Sequence, residues 1–384
     1  MRKNLLLFVL LLVSSFISLP AQGQSTCVVD RLTDTGEGEW PMGDLRFCIT
    51  NAMSGDTITF EVMGTINLTG PLPDLNVSVT IEGPGADPLT VRRNTGGIYR
   101  IFTVSGDATV LISGLTIANG SANLGGGILN QGALTLSNST LSQNRASSGG
   151  GIFNQGGTLT VSNSTVSQNE ASFGSGGGGI FNQGELTVSN STIASNTAPG
   201  GGGLYNSGTA TVTSSTLSGN TARSEFYGVW GQGGALVNAG TATISNSTIW
   251  GNEAVCISSW ERECEYEPPP TCAAGGIQNL GTLSMRNTIC SDLCGGLASS
   301  GYNLIGWSGG GSGYDKTDLL DINPRVGLLQ DNGGPTWTHA LLDGSPAIDA
   351  GDNTDAPEFD QRGEGFPRIV NGIIDIGAFE FQGG

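Results

Sequence analysis

The chain has 384 residues, a formal net charge of −18, 12% charged residues and 63 glycines. A polymer this acidic repels nucleic acid and anionic lipid, so both are poor partners. Lysine occurs only at Lys3 and Lys316 and histidine only at His339, which leaves almost no material for chemistry based on either. Such glycine content suits either disorder or a turn-rich repeat, and periodic apolar residues select the repeat.

Residues 1–23 read as an export signal. Arg2 and Lys3 precede an apolar run from Leu5 to Leu19, and Ala21-Gln22-Gly23 places small residues ahead of a cleavage site before Gln24. The run is short for a membrane span and no second one follows, so the mature chain is not expected to insert in a membrane. Without residues 1–23 the chain holds 13 basic against 33 acidic groups, a net charge of −20. It is expected to be secreted or held at the cell surface.

Residues 24–65 form an expected N-terminal cap with the first strands. Val28-Val29-Asp30 is strand-like, Leu45 to Ala52 places Leu45, Cys48, Ile49 and Ala52 on one side of a short helix, and Gly55 to Phe60 returns to strand pattern. Seven cysteines in an exported chain imply disulfides. Cys27 and Cys48 stand alone and should pair. Cys256, Cys264, Cys272, Cys290 and Cys294 cluster late and should give two bridges and one free thiol; the spacing Cys290-x3-Cys294 also permits zinc.

Residues 66–310 carry the repeat. The unit Gly-Gly-Gly-Ile-Leu-Asn-Gln-Gly-Ala-Leu-Thr-Leu-Ser-Asn-Ser-Thr-Leu at 125–141 returns five times, and its marker asparagine falls at Asn130, Asn154, Asn182, Asn206, Asn238 and Asn279. The shortest step is 24 residues and longer steps are insertions. Leu134 and Leu136 share a face while Thr135 points away, which is strand periodicity. About three short strands per unit cannot bury an apolar face alone, but parallel stacking at about 4.8 Å buries it. The expected fold is therefore all-β, a single-stranded right-handed parallel β-helix with a capped N-terminus. The marker asparagines fall at bends, where stacked amides bond along the axis, and are expected to form a structural ladder.

Two surface features suggest binding. Thr135, Thr160, Thr187, Thr211, Thr243 and Ser284 form an outward hydroxyl row, a flat array suited to polysaccharide or ice. Insertions near 170–176, 221–232 and 253–274, placed after the third strand, carry Phe173, Phe226, Tyr227, Trp230, Trp260 and Tyr266, aromatics of the kind that mark partner or sugar contacts on loops. Residues 311–384 form an acidic terminal segment. Within it Asp349, Asp352 and Asp355 offer oxygen ligands for Ca²⁺, the one cofactor that the residues suggest. His339 has no recognisable nucleophile motif and reads as a structural residue.

The head, Leu45-Arg46-Phe47-Cys48-Ile49 followed by Gly55-Asp56-Thr57-Ile58, resembles the CSLREA-type segment of bacterial β-helix proteins. The Gly-Gly-x-Ile-x-Asn coils resemble polymorphic outer-membrane and adhesin-like proteins. The tail, Asp331 to Leu341 with Ser345-Pro346-Ala347-Ile348-Asp349 and Asp360-Gln361-Arg362-Gly363, is similar to the end of the choice-of-anchor Q family. The resemblance implies fold and export and carries no established activity.

Residues 108–291 contain no Asp, Lys or His, and β-helix lyases and hydrolases need acidic pairs on their strands. The expectation is a non-enzymatic, adhesin-like or envelope-structural protein that binds extracellular polysaccharide or a surface protein. The alternative is a polysaccharide lyase or glycoside hydrolase.

Overall fold

The computed structural model describes residues 24–172, 176–224, 231–255 and 275–383. The leader, Cys256, Cys264, Cys272 and the aromatics Phe173, Phe226, Tyr227, Trp230, Trp260 and Tyr266 lie outside these residues.

The coil that begins at Ile128 shows why the chain turns where it does. Its strands are Ile128–Asn130, Ala133–Ser137, Thr140–Ser142 and Arg145–Ser148. Between them Asn138, Gln143 and Gly149 take left-handed backbone, at φ 47°, 58° and 63°. Asparagine tolerates that region. Gly149 has a second reason to lack a side chain, because a Cβ there would lie 2.5 Å from the Ile152 carbonyl oxygen. The corner repeats closely in later coils, at Asn163, Asn190, Ser214, Asn246 and Asn287, all with φ of 46–48°.

Identical corners make identical coils, and identical coils stack. Ala133–Ser137 pairs residue for residue with Thr158–Ser162, and the same parallel register runs on through Glu185–Ser189, Thr209–Thr213, Thr241–Ser245 and Thr282–Arg286. This is the second of four ladders. The first holds the strands of the Ile128–Asn130 type, the third those of the Thr140–Ser142 type, and the fourth those of the Arg145–Ser148 type. The molecule is a right-handed parallel β-helix. The fourth ladder adds a strand to the three anticipated per coil. Its members are two to four residues long and show a lone inward alanine (Ala146, Ala171, Ala198, Ala222), so no apolar alternation betrays them. The longer repeat steps follow this fourth strand, not the third.

Each coil sends a few apolar side chains inward, for example Ile152, Leu159, Val161 and Val166, all fully buried. Each such burial contributes about 1.5–3 kcal/mol, which cannot order two dozen residues without neighbours above and below. Polar side chains complete the interior. Asn130, Asn154, Asn182, Asn206, Asn238 and Asn279 form a continuous stack in which each Nδ2 donates to the next Oδ1 at 2.7–2.8 Å. A second stack runs through Asn144, Asn169, Asn196, Asn220 and Asn252 at 2.9–3.0 Å. Ser139, Ser164, Ser191, Ser215 and Ser247 line a third file, each hydroxyl donating to the carbonyl two residues back.

The N-terminal end is closed by the helix Leu45–Asn51, which buries Leu45, Cys48 and Ile49. Asp44 caps it through the Phe47 N–H at 2.8 Å and also accepts from the amides of Thr35 and Gly36. A disulfide joins Cys48 to Cys27 on the first strand, Thr26–Val29. Cys294 is also disulfide-bonded, while Cys290 is a buried free thiol.

At the other end the chain reverses. After Leu319–Leu320 it forms the antiparallel hairpin Val326–Gln330 and Thr338–Leu341, whose connection reaches back to Asn190 and Thr192. The chain beyond it packs on the outer face of the third ladder, touching Asn287 at Asp352, Thr192 and Thr216 at Gln361, and Thr248 at Ala378. This returning module has its own small core with the last coils, made of Ile289, Leu304, Leu341, Ala347, Ile376 and Phe379.

The interior stack has a direct test. Asn182 donates to Asn206 Oδ1, Gly184 O and Thr209 O and accepts from Asn154 Nδ2. Asn182→Ala should cost about 3 kcal/mol or more in chemical denaturation, because it strands buried partners. Thr187→Ala, on the exposed face of the neighbouring strand, should stay within about 0.5 kcal/mol.

Candidate functional site

The returning module is fastened to the third ladder through the outward hydroxyls of that ladder. Gln361, fully buried, accepts from Thr216 Oγ1 at 2.6 Å and donates to Thr192 Oγ1, Thr336 Oγ1 and the Trp337 carbonyl. Thr248 Oγ1 accepts from the Ala378 amide. Arg362 stiffens the module from within. Its guanidinium bonds both oxygens of Asp360 and lies 3.9 and 3.8 Å from the ring centroids of Phe366 and Phe379.

His339 supplies a further fastening. Its Nδ1 donates to Gly327 O at 2.7 Å, which leaves Nε2 to accept from Ser218 Oγ at 2.8 Å. The pair has the spacing of a nucleophile and its base, but both residues are about 5% exposed and neither lines the groove beside the module. It is a latch between module and coil. Burial, opposed by the Gly327 carbonyl, holds the imidazole pKa below its ordinary value.

Where the module meets bare ladder it leaves a groove of about 480 Å³ lined by Asp87, Thr140, Thr165, Gln168, Asp331 and Trp337 among others. A second hollow of about 290 Å³ shares Asp87, Thr140, Thr165 and Pro335 and prolongs it. The floor crosses the strands of Thr140, Thr165 and Thr192, two strand spacings or about 10 Å. Both walls are fixed. The loop bearing Asp87 is held by Gly85 N–H to Gly114 O and by Thr116 Oγ1 to Ala86 O, each at 2.8 Å. The wall bearing Asp331 and Trp337 passes so close to Arg362 that a Cβ at Gly334 would lie 2.4 Å from the Arg362 carbonyl oxygen. Trp337 itself is anchored by its carbonyl, which accepts from Thr192 Oγ1 at 2.7 Å, while the residue remains 56% exposed. An immobilised backbone presenting an open aromatic face, two carboxylates and a row of hydroxyls is an arrangement that can hold a sugar chain.

Asp87, Asp331 and Trp337 do not stand out as a site in the sequence. Asp331 and Trp337 lie inside the tail motif, but nothing in their spacing ties them to Asp87 or to the coils. Other candidates are distributed differently. The outward row Thr135, Thr160, Thr187, Thr211, Thr243 and Ser284 lies in register on the second ladder, and Thr243 and Ser284 at its end share a hollow with Thr354 and Asp355 of the module. Asp352 gives one oxygen to Arg286 at 2.6 Å and the other to the amide and hydroxyl of Thr354, and Asp355 faces the same Arg286 at 3.9 Å. Asp349 is instead engaged through its amide by Asp375. Among the described residues no group of three His, Cys, Asp or Glu side chains is placed to hold a metal.

A family model described as the right-handed β-helix region matches residues 96–267. The crystal structure of pectate lyase Pel9A superposes on 93% of this chain and 97% of its own, with a TM-score of 0.50 and 13% identity. A likeness at that identity is one of fold. No curated protein matches the sequence. The expectation of a protein without enzymatic activity is corrected here, because a pectate lyase is built on this fold over almost its whole length. The groove's two carboxylates, Asp87 and Asp331, lie outside residues 108–291, the stretch without Asp, Lys or His.

Two measurements check this arrangement. With its pKa lowered in the folded state, His339 leaves the latch at full strength above pH about 6.5. As pH falls from there through the folded value, the unfolded state takes the proton first, and stability should decline by at most about 1.4 kcal/mol per pH unit. His339→Gln should abolish that part of the pH profile of thermal melting. Cys290, fully buried and donating to Asp292 O, has its thiol pushed up by burial. Mass mapping after iodoacetamide should find it unmodified in the native protein and alkylated only after denaturation.

Proposed function

We propose that the protein is an exported carbohydrate-active β-helix protein, a polysaccharide lyase or glycoside hydrolase, that works on a chain lying in the groove between Asp87, Trp337 and the third ladder. The observation that carries this reading is that Asp87 and Asp331 line one groove together with the exposed Trp337. The β-helix fold fits a surface or extracellular protein, and the likeness to pectate lyase Pel9A supports an enzyme of polysaccharides. The head and tail segments that resemble the CSLREA type and the choice-of-anchor Q family support export and surface attachment, the tail here serving as the wall of the groove.

Two carboxylates in one groove can share the work of breaking a glycosidic bond, one as acid to the leaving oxygen and the other as base or nucleophile. Incubation with a panel of polysaccharides, followed by reducing-end and unsaturated-product assays, tests the reading. Product should form on at least one polymer, and Asp87→Asn and Asp331→Asn should each lower the rate about a hundredfold or more while leaving the melting temperature unchanged. Failure of the wild type to release product from any polymer would reject it.

A further inference from the structure

We propose that the groove takes an uncharged polysaccharide and not a polyuronate; this rests on the reading of the groove as a polysaccharide site. The charge around it is one-sided. Asp87 and Asp331 line it, the chain as a whole carries −18, and among its described lining residues there is no Arg, Lys or His. A polyuronate brings one carboxylate per sugar. Laid along about 10 Å of floor, it adds like charge beside the two aspartates, within the screening length of about 10 Å in 0.1 M salt. An uncharged sugar carries no such penalty.

The rest of the lining recognises what a neutral sugar does offer. The indole of Trp337 gives a broad apolar face for the C–H side of a sugar ring, carried on a backbone already held through its carbonyl. Thr140, Thr165 and Gln168 present hydroxyl and amide groups at the spacing of the strands. Carboxylates accept strongly from hydroxyl donors, so the two aspartates attract the same sugar whose charged analogue they repel.

The substrate class also selects the reaction. β-Elimination removes a proton made acidic by a neighbouring uronate carboxyl, which an uncharged sugar lacks. Hydrolysis remains. The bond between the anomeric carbon and the leaving oxygen breaks, the leaving oxygen takes the proton of one carboxylic acid, and water supplies the oxygen that bonds to the anomeric carbon while its proton passes to the other carboxylate.

The test uses the mature full-length chain in calorimetric titrations against xylan, mannan and β-glucan, and against polygalacturonate and alginate with and without calcium. At least one neutral polymer should bind, Trp337→Ala should weaken it about tenfold, and neither polyuronate should bind as tightly. Tighter binding of a polyuronate, in either calcium condition, overturns the substrate class and leaves the polysaccharide reading standing. Absence of binding to every polymer overturns both, and neutral binding that is indifferent to Trp337→Ala removes the groove as its location.

Discussion

The outer surface of this protein depends on coils lying in strict register, and the constraint that holds them there is axial hydrogen bonding. Backbone pairing alone fixes strands at about 4.8 Å but tolerates slippage along a strand. The buried asparagines do not. A one-residue slip would carry Asn182 away from Asn154 and Asn206 and leave their amides unpaired in a dry interior, at the cost of an unsatisfied buried group for each partner. Polar stacks inside the coil therefore specify register, and the leucines, valines and isoleucines beside them supply most of the driving force.

Register inside becomes regularity outside. Because Thr192, Thr216 and Thr248 stand one above another on the third ladder, a segment of irregular chain can find hydroxyls at fixed intervals. The returning module uses them through Gln361 and the Ala378 amide, with Ser218 taken by His339. The module is irregular because it tracks a regular surface while satisfying its own buried charges, as Arg362 does between two aromatic rings and an aspartate. Its edge, where Trp337 turns outward, is what converts an open face into a groove. The groove lies where the repeat is met by a non-repeating partner.

Much of the architecture is legible in the residues themselves. The spacing of Leu134 and Leu136 reveals a strand, and the recurrence of Asn130 reveals the coil. The bridge between Cys27 and Cys48 is foreshadowed by their isolation near the N-terminus. The fourth ladder is not legible, since a strand of Arg145-Ala146-Ser147-Ser148 holds a single small inward residue and carries no period. The groove is hidden for a different reason. Asp87 and Trp337 come together only because the chain doubles back, and a repeat period relates each coil to the next one along the chain, never to a distant segment that returns over it. The groove's carboxylates, Asp87 and Asp331, sit at the borders of the repeat and so carry no period either.

The central claim is that the C-terminal module is docked on the stacked ladder and thereby forms the groove. Hydrogen–deuterium exchange by mass spectrometry tests it most directly. Peptides covering 336–341 and 360–380 should exchange as slowly as those covering the coils of residues 128–171, because their amides and carbonyls are bonded to one another and to the ladder. Fast exchange throughout 324–381 beside slow coils would mean an undocked module, and the groove would lose its wall.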